Sequence, residues 1–237
     1  MRLVLLVAIL IILYSCKGSN SETGMLVQTS TSENTAIQQK TDQQNYQGEQ
    51  FAEDIITAIK FNELSVAISR LVVFDEDDKL HQQQKDTAFI YADIAETIEG
   101  QKISIKSDVL TNITVEQRYE TSITIMNEGP HCDLTEWKHY YSEWRSLESS
   151  SNNIFIGDTY ETKDREKFPT IKIEQLKKEV KKVCGEEWYK HVKNIKSPTD
   201  YPAGVGISRY FLRVTGQLKD NGATVTKLII IEVPMGC

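Results

Sequence analysis

The sequence predicts an α+β fold: helices mixed with an antiparallel sheet, closing in a C-terminal β-hairpin. Three observations predict it. Helical periodicity runs through "IKIEQLKKEVKKVCGEEWYKHV", apolar residues of one parity recur between 103 and 125, and Asp220-Asn221-Gly222 separates two β-rich runs. No internal repeat is visible, so one folded domain is expected over 51–237.

Taken in order, Phe51, Ile55, Ile56 and Ile59 stand at helical spacings and predict a first amphipathic helix. The run "NELSVAISRLVVF" suits either a helix, through Leu64, Ala67, Ile68 and Leu71, or a strand at "RLVVF". After the acidic turn Asp75–Asp78, a second helix is expected on Leu80, Thr87, Tyr91, Ile94 and Ile98, with Gly100 at its C-cap. Ile103 and Ile105 alternate with polar residues, and Ile113, Val115, Tyr119, Ile123 and Ile125 share one parity, as strands require. Gly129-Pro130 ends that strand, and "NIFIGDTY" reads as another. Ile173, Leu176, Val180, Val183 and Trp188 then face inward from a helix that Gly185 breaks or kinks. Asp220-Asn221-Gly222 is the strongest hairpin signal in the chain.

The N-terminus has a different character. Residues 3–13, "LVLLVAILIIL", are unbroken aliphatics behind the single charge of Arg2. That run is shorter than the ~20 residues of a bilayer span and matches the hydrophobic region of a secretory signal. Leu13-Tyr14-Ser15-Cys16 follows, with a small residue before the cysteine and a hydrophobic one three before it. This segment resembles the lipobox of bacterial lipoprotein precursors, and Tyr14 departs from it by its size. The resemblance covers the first sixteen residues only.

It implies a signal peptide over 1–15 and a mature N-terminus at Cys16. That cysteine would carry a diacylglycerol thioether and an amide-linked chain such as palmitate, and two or more chains suffice for stable anchoring. Lys17, where an aspartate commonly favours inner-membrane retention, leans towards the outer membrane. Cleavage would remove Arg2 and take the formal charge from −7 to −8, so the membrane contact would be lipid rather than a basic patch. Residues 17–50 are rich in Ser, Thr, Asn and Gln and lack apolar periodicity, which reads as a flexible tether behind the lipidated residue (16–50 in all). Its root-mean-square reach as a coil is roughly 30 Å.

Composition excludes some functions. A balance of −7 with 26% charged residues, and no basic cluster, argues against nucleic-acid binding. His81, His131, His139 and His191, taken with Cys132 and Cys184, match no zinc-ligand spacing, so no metal or other cofactor is expected. An oxidising compartment favours one disulfide among Cys132, Cys184 and Cys237. Cys132–Cys184 comes first and a bridge to Cys237 second; the former would contribute about 3–4 kcal/mol.

The most individual segment is "HCDLTEWKHYYSEWRSLE", 131–148. Leu134, Trp137, Tyr141 and Trp144 would form an aromatic stripe on a helix, with Asp133 and Glu136 as its capping box. The stripe is either the helix's core face or a partner-binding surface, and Tyr140 and Arg145 are the expected exposed contacts. Neither a Cys132–His pair nor any carboxylate pair carries a catalytic signature, so no catalytic residue is assigned.

The function expected is a lipid-anchored extracytoplasmic binding or interaction protein of the bacterial cell envelope. It would reside in the periplasm or at the surface on the outer membrane, with an envelope protein or glycan as partner. The alternatives are an envelope-acting hydrolase using His131, His139 or an acidic residue, and a passive structural or assembly lipoprotein.

Overall fold

Long stretches of alternating apolar residues dominate the chain, and the structure pairs them as strands. The computed structural model describes residues 56–73 and 82–235. Of these, 44% are strand and 13% helix, so the balanced mixture of helices and sheet is overturned in favour of a β-rich fold.

The strands are, in chain order, β1 (Ile56–Lys60), β2 (Ser65–Ser69), β3 (Gln82–Gln84), β4 (Thr87–Tyr91), β5 (Lys102–Lys106) and β6 (Leu110–Ile125). The short β7 (Cys132–Asp133), β8 (Tyr140–Tyr141), β9 (Arg145–Ser146), β10 (Ser149–Ser151) and β11 (Ile154–Ile156) follow. Helices α1 (Thr162–Arg165), α2 (Ile173–Val183) and α3 (Glu186–Val192) precede β12 (Ala203–Leu218) and β13 (Thr224–Glu232).

A small sheet has the order β1-β2-β5-β11-β10 and is antiparallel throughout. The large sheet runs β3-β4-β13-β12-β6, with β7, β8 and β9 sharing the far edge of β6. Only the β4–β13 pair is parallel among the pairings of this sheet. Val66, Ile68, Ile103 and Phe155 of the small sheet share one buried cluster with Ile90, Val115, Leu212 and Ile229 of the large one. The two sheets therefore stack as a sandwich around that core.

At 16 residues each, β6 and β12 run about 50 Å and outreach the sandwich. Their far ends, Ile123, Ile125 and Ala203, pack on Leu134, Leu176, Val180 and Val192 as a second core. A Cys132–Cys184 disulfide ties β7 to the C-cap of α2 there, with the two Cα atoms 6.2 Å apart. At the other end the β12–β13 hairpin turns through Asp220-Asn221-Gly222. Gly222 adopts φ +70°, and Asn221 Oδ1 accepts from the Ala223 N–H at 2.9 Å.

Three expected helices are strands or extended chain. Within 56–60 the chain is β1, where Ile59 is buried and Ile56 is 60% exposed; Phe51 and Ile55 lie outside the described residues. Over 82–91 the chain is a hairpin whose Ala88 and Ile90 point to the core, while Leu80 lies outside the described residues. Thr87, Tyr91 and Ile98 match a helical spacing only by coincidence: parallel pairing with β13 outweighs a short periodic run. Gly100, expected as a helix C-cap, holds φ +71° in the turn before β5 and donates its N–H to the Gly157 carbonyl.

The aromatic stripe of 134–144 is likewise no helix. Its backbone follows the free edge of β6, Tyr141 opposite Glu120 and Arg145 opposite Gln117. Asp133 and Glu136 consequently form no capping box: Asp133 accepts from the Met235 N–H, and Glu136 reaches Arg209.

The helix over 173–192 does form. Gly185, with φ +89°, divides it into α2 and α3, and Leu176 and Val180 are fully buried, although Val183 is 55% exposed.

Candidate functional site

One face of the large sheet covers the sandwich core; the other carries a pattern set by register. On β12 the outward residues are Arg209, Phe211 and Arg213. Opposite them on β6 stand Glu120, Arg118 and Glu116, and on β13 Glu232, Ile230 and Leu228. On β4 the rows continue as Tyr91, Phe89 and Thr87. Strand alternation thus sets an aromatic and aliphatic row, interrupted by Arg118, between two rows that carry the ion pairs.

The middle row holds a stacked array. The Arg118 guanidinium lies 4.9 Å from the Tyr141 ring centre, 4.8 Å from Phe211 and 4.6 Å from Trp144. Arg213 takes a second position over the Trp144 ring at 4.3 Å and donates to Glu116 Oε2 at 2.7 Å. Arg118 Nε is buried without a hydrogen-bond partner, so aromatic faces supply much of that cation's local compensation.

Charge gathers in the first row. Arg209 bonds one oxygen of each of three carboxylates: Glu232 at 2.9 Å, Glu120 at 3.4 Å, and Glu136. His139 Nδ1 lies 3.2 Å from the same Glu120 oxygen. Glu120 is completely buried, and its Oε2 has no hydrogen-bond partner. Burial pushes its carboxyl above the usual range, and the Arg209 and His139 charges pull it partly back. The hydrogen bond and charge of Arg209 hold Glu136 below that range. Burial opposes the Arg209 charge, but the hydrogen bonds that it donates to Glu136 and Glu232 outweigh this and raise its pKa.

These groups line a shallow depression of about 360 Å³, with Phe89, Tyr91 and Tyr141 beside Glu120, Arg209 and Glu232. Tyr91 and Tyr141 are 43% and 41% exposed beside these carboxylates, and the Tyr141 ring already carries the Arg118 guanidinium. Among the described residues no group of three or more His, Cys, Asp or Glu side chains is placed to hold a metal ion.

The residues singled out in the sequence are dispersed. Tyr140 turns inward and is half-buried against the sandwich core, its ring 6.2 Å from Tyr119; its neighbour Tyr141 takes the exposed position. Arg145 pairs with Asp158 at 3.0 Å, covers the Tyr160 ring, and borders a separate depression with Ser149 and Gly157. His139 reaches the outer face, while His191 packs beside Trp188 on α3. His131 keeps a buried Nδ1 without a hydrogen bond. Cys16, His81 and Cys237 lie outside the described residues.

Arg118, Glu120, Arg209 and Phe211 escaped the sequence reading. Their signal was present as Glu-x-Arg-x-Glu on one β-rich run and Arg-x-Phe-x-Arg on another, which is complementary when the strands pair antiparallel. No family model matches the chain, and no curated protein and no solved structure matches it.

Proposed function

We propose that this is a lipid-anchored binding module of the bacterial cell envelope whose partner docks on the outer face of the large sheet. The observation that carries the binding reading is the array of Tyr141, Phe211, Arg118, Trp144 and Arg213 on paired strands. Aromatic and arginine side chains held rigid on a sheet lose little entropy on binding and are the usual anchors of interfaces. The anchoring reading rests on the lipobox-like Leu13–Cys16.

The binding face is tested by placing a photo-crosslinking residue at Tyr91 or, as control, at Val183 on α2, in cells with intact membranes. A discrete adduct at Tyr91 and none at Val183 is expected. The same adducts from both positions, or none at Tyr91, would remove the face. Anchoring is tested by intact mass: residues 1–15 absent and lipid on Cys16. An unmodified N-terminus elsewhere would refute it.

An envelope-acting hydrolase is the second reading, favoured by one observation. A fully buried carboxyl, kept protonated more readily by its surroundings and flanked by His139, has the character of a general acid. Turnover of envelope saccharide or peptide that Glu120→Gln abolishes would support it, and turnover unaffected by that change would exclude Glu120.

A further inference from the structure

We propose that the depression beside Glu120 and Arg209 receives the primary ammonium of a lysine side chain presented by a partner polypeptide. The inference rests on the binding-face reading above and names its ligand chemistry.

Charge complementarity comes first. Glu120, Glu136 and Glu232 face the one guanidinium of Arg209, so carboxylate remains in excess. Arg209 bonds a single oxygen of each, which leaves a second oxygen on every carboxylate off that guanidinium. Those spare acceptors belong to separate side chains. A compact ammonium with three rotatable donors can use dispersed acceptors, whereas a planar guanidinium fork is best matched by paired oxygens of one group.

The second observation is independent of the acidic cluster as such. Glu120 is fully buried, lines the depression, and leaves Oε2 without a hydrogen-bond partner. When ionised, its charge acts through protein rather than water, where an interaction at a given distance is stronger. A cation resting against Glu232 and Glu136 would feel Glu120 without touching it.

Aromatic walls complete the site. Tyr91, 43% exposed, offers aromatic surface beside the carboxylates, and Phe89 and Ile230 offer apolar contact to an aliphatic stem. A volume of about 360 Å³ suits one long side chain better than a whole cofactor.

The test follows the Ile230 methyl resonance of the full chain in detergent while Nα-acetyl-lysine methylamide is added. The norleucine analogue serves as the uncharged probe and the arginine analogue as the fork. Ile231, on the opposite face of β13, reports the fold. Expected is a saturable Ile230 shift with the lysine probe, about tenfold weaker with norleucine and weaker with arginine, and Ile231 unmoved. Glu136→Gln combined with Glu232→Gln should weaken lysine binding by about tenfold or more. Equal shifts from lysine and norleucine, or undiminished lysine binding by the double variant with Ile231 unmoved, would overturn the inference. Photo-adducts at Tyr91 that persist undiminished in the double variant would keep the binding face and overturn its cation ligand; absence of any Tyr91 adduct in the unmodified protein would overturn the face itself.

Discussion

The Arg118 guanidinium lies 4.6 Å from the centre of the Trp144 indole, and that same indole carries Arg213 at 4.3 Å. Trp144 thus bridges two cations that would otherwise repel across the strand ladder. Each such contact is worth about 0.5–2 kcal/mol, depending on solvation. Trp144→Ala should therefore lose about 2 kcal/mol of stability or more, and Trp144→Phe distinctly less, in urea denaturation monitored by circular dichroism. A Trp144→Ala loss within about 0.5 kcal/mol would mean that the array contributes no more than an ordinary surface residue.

Glu120 makes stability depend on pH. Its carboxyl pKa is raised from the ordinary value of 4.5, chiefly by burial, so the folded protein favours its protonated form. The stability it contributes is complete below that ordinary value and is lost as pH rises through the raised pKa. The charges of Arg209 and His139 moderate this loss without reversing it, whereas the neighbouring Glu136 carboxylate adds to it. Glu120→Gln imitates the protonated form and does not titrate. The variant's melting temperature should gain on the unmodified protein as pH climbs from about 4 to 8, and scanning calorimetry at stepped pH would read it. A difference that stays constant with pH would contradict the assignment.

The disulfide divides the molecule's stability unevenly. Cys132 and Cys184 close a loop with a sequence separation of 52, for which loop-closure entropy gives about 4 kcal/mol. The bridge sits at the helical end, away from the sandwich core. A Cys132→Ser, Cys184→Ser double variant should show faster hydrogen exchange in α2, α3 and β7 first, while β2, β5 and β13 stay protected. Uniform loss of protection would show that the two cores unfold as one.

What could be read in the sequence depended on how local the determining forces were. The Asp220-Asn221-Gly222 turn, the break at Gly185 and the one-parity strand from Ile113 to Ile125 are set by φ preference and by alternation within a few residues. The Cys132–Cys184 pairing came from a small number of choices among three cysteines, given an expected oxidising compartment. The failures were over 56–60, 82–91 and 134–144, where apolar spacings fitted a helix but a partner strand took the backbone hydrogen bonds. Tyr140 and Tyr141 exchanged their expected roles for the same reason, since alternation along the β6 edge sends adjacent residues to opposite faces. The charged rows needed the register of four strands, and no single segment contains that information.

The sharpest steric prediction concerns Gly157, directly after β11. A Cβ built there would lie 2.0 Å from the Ile98 carbonyl oxygen, a backbone atom with no flexible end to move aside. The backbone is also pinned: the Gly157 N–H donates to Gln101, its carbonyl accepts from Gly100, and the next N–H donates to Gln117 Oε1. Relieving the clash means separating 98–101 from 157–158, which stitch the small sheet to the buried Gln117 of β6. Gly157→Ala should then lose about 3 kcal/mol, at the upper end of overpacking effects. Gly129→Ala is the matched control, because its Cβ meets nothing within 4 Å, and it should stay within about 0.5 kcal/mol of the unmodified protein. Urea midpoints of the two variants decide the matter: near-equal values would mean that the 98–101 turn does not pack on Gly157 as described.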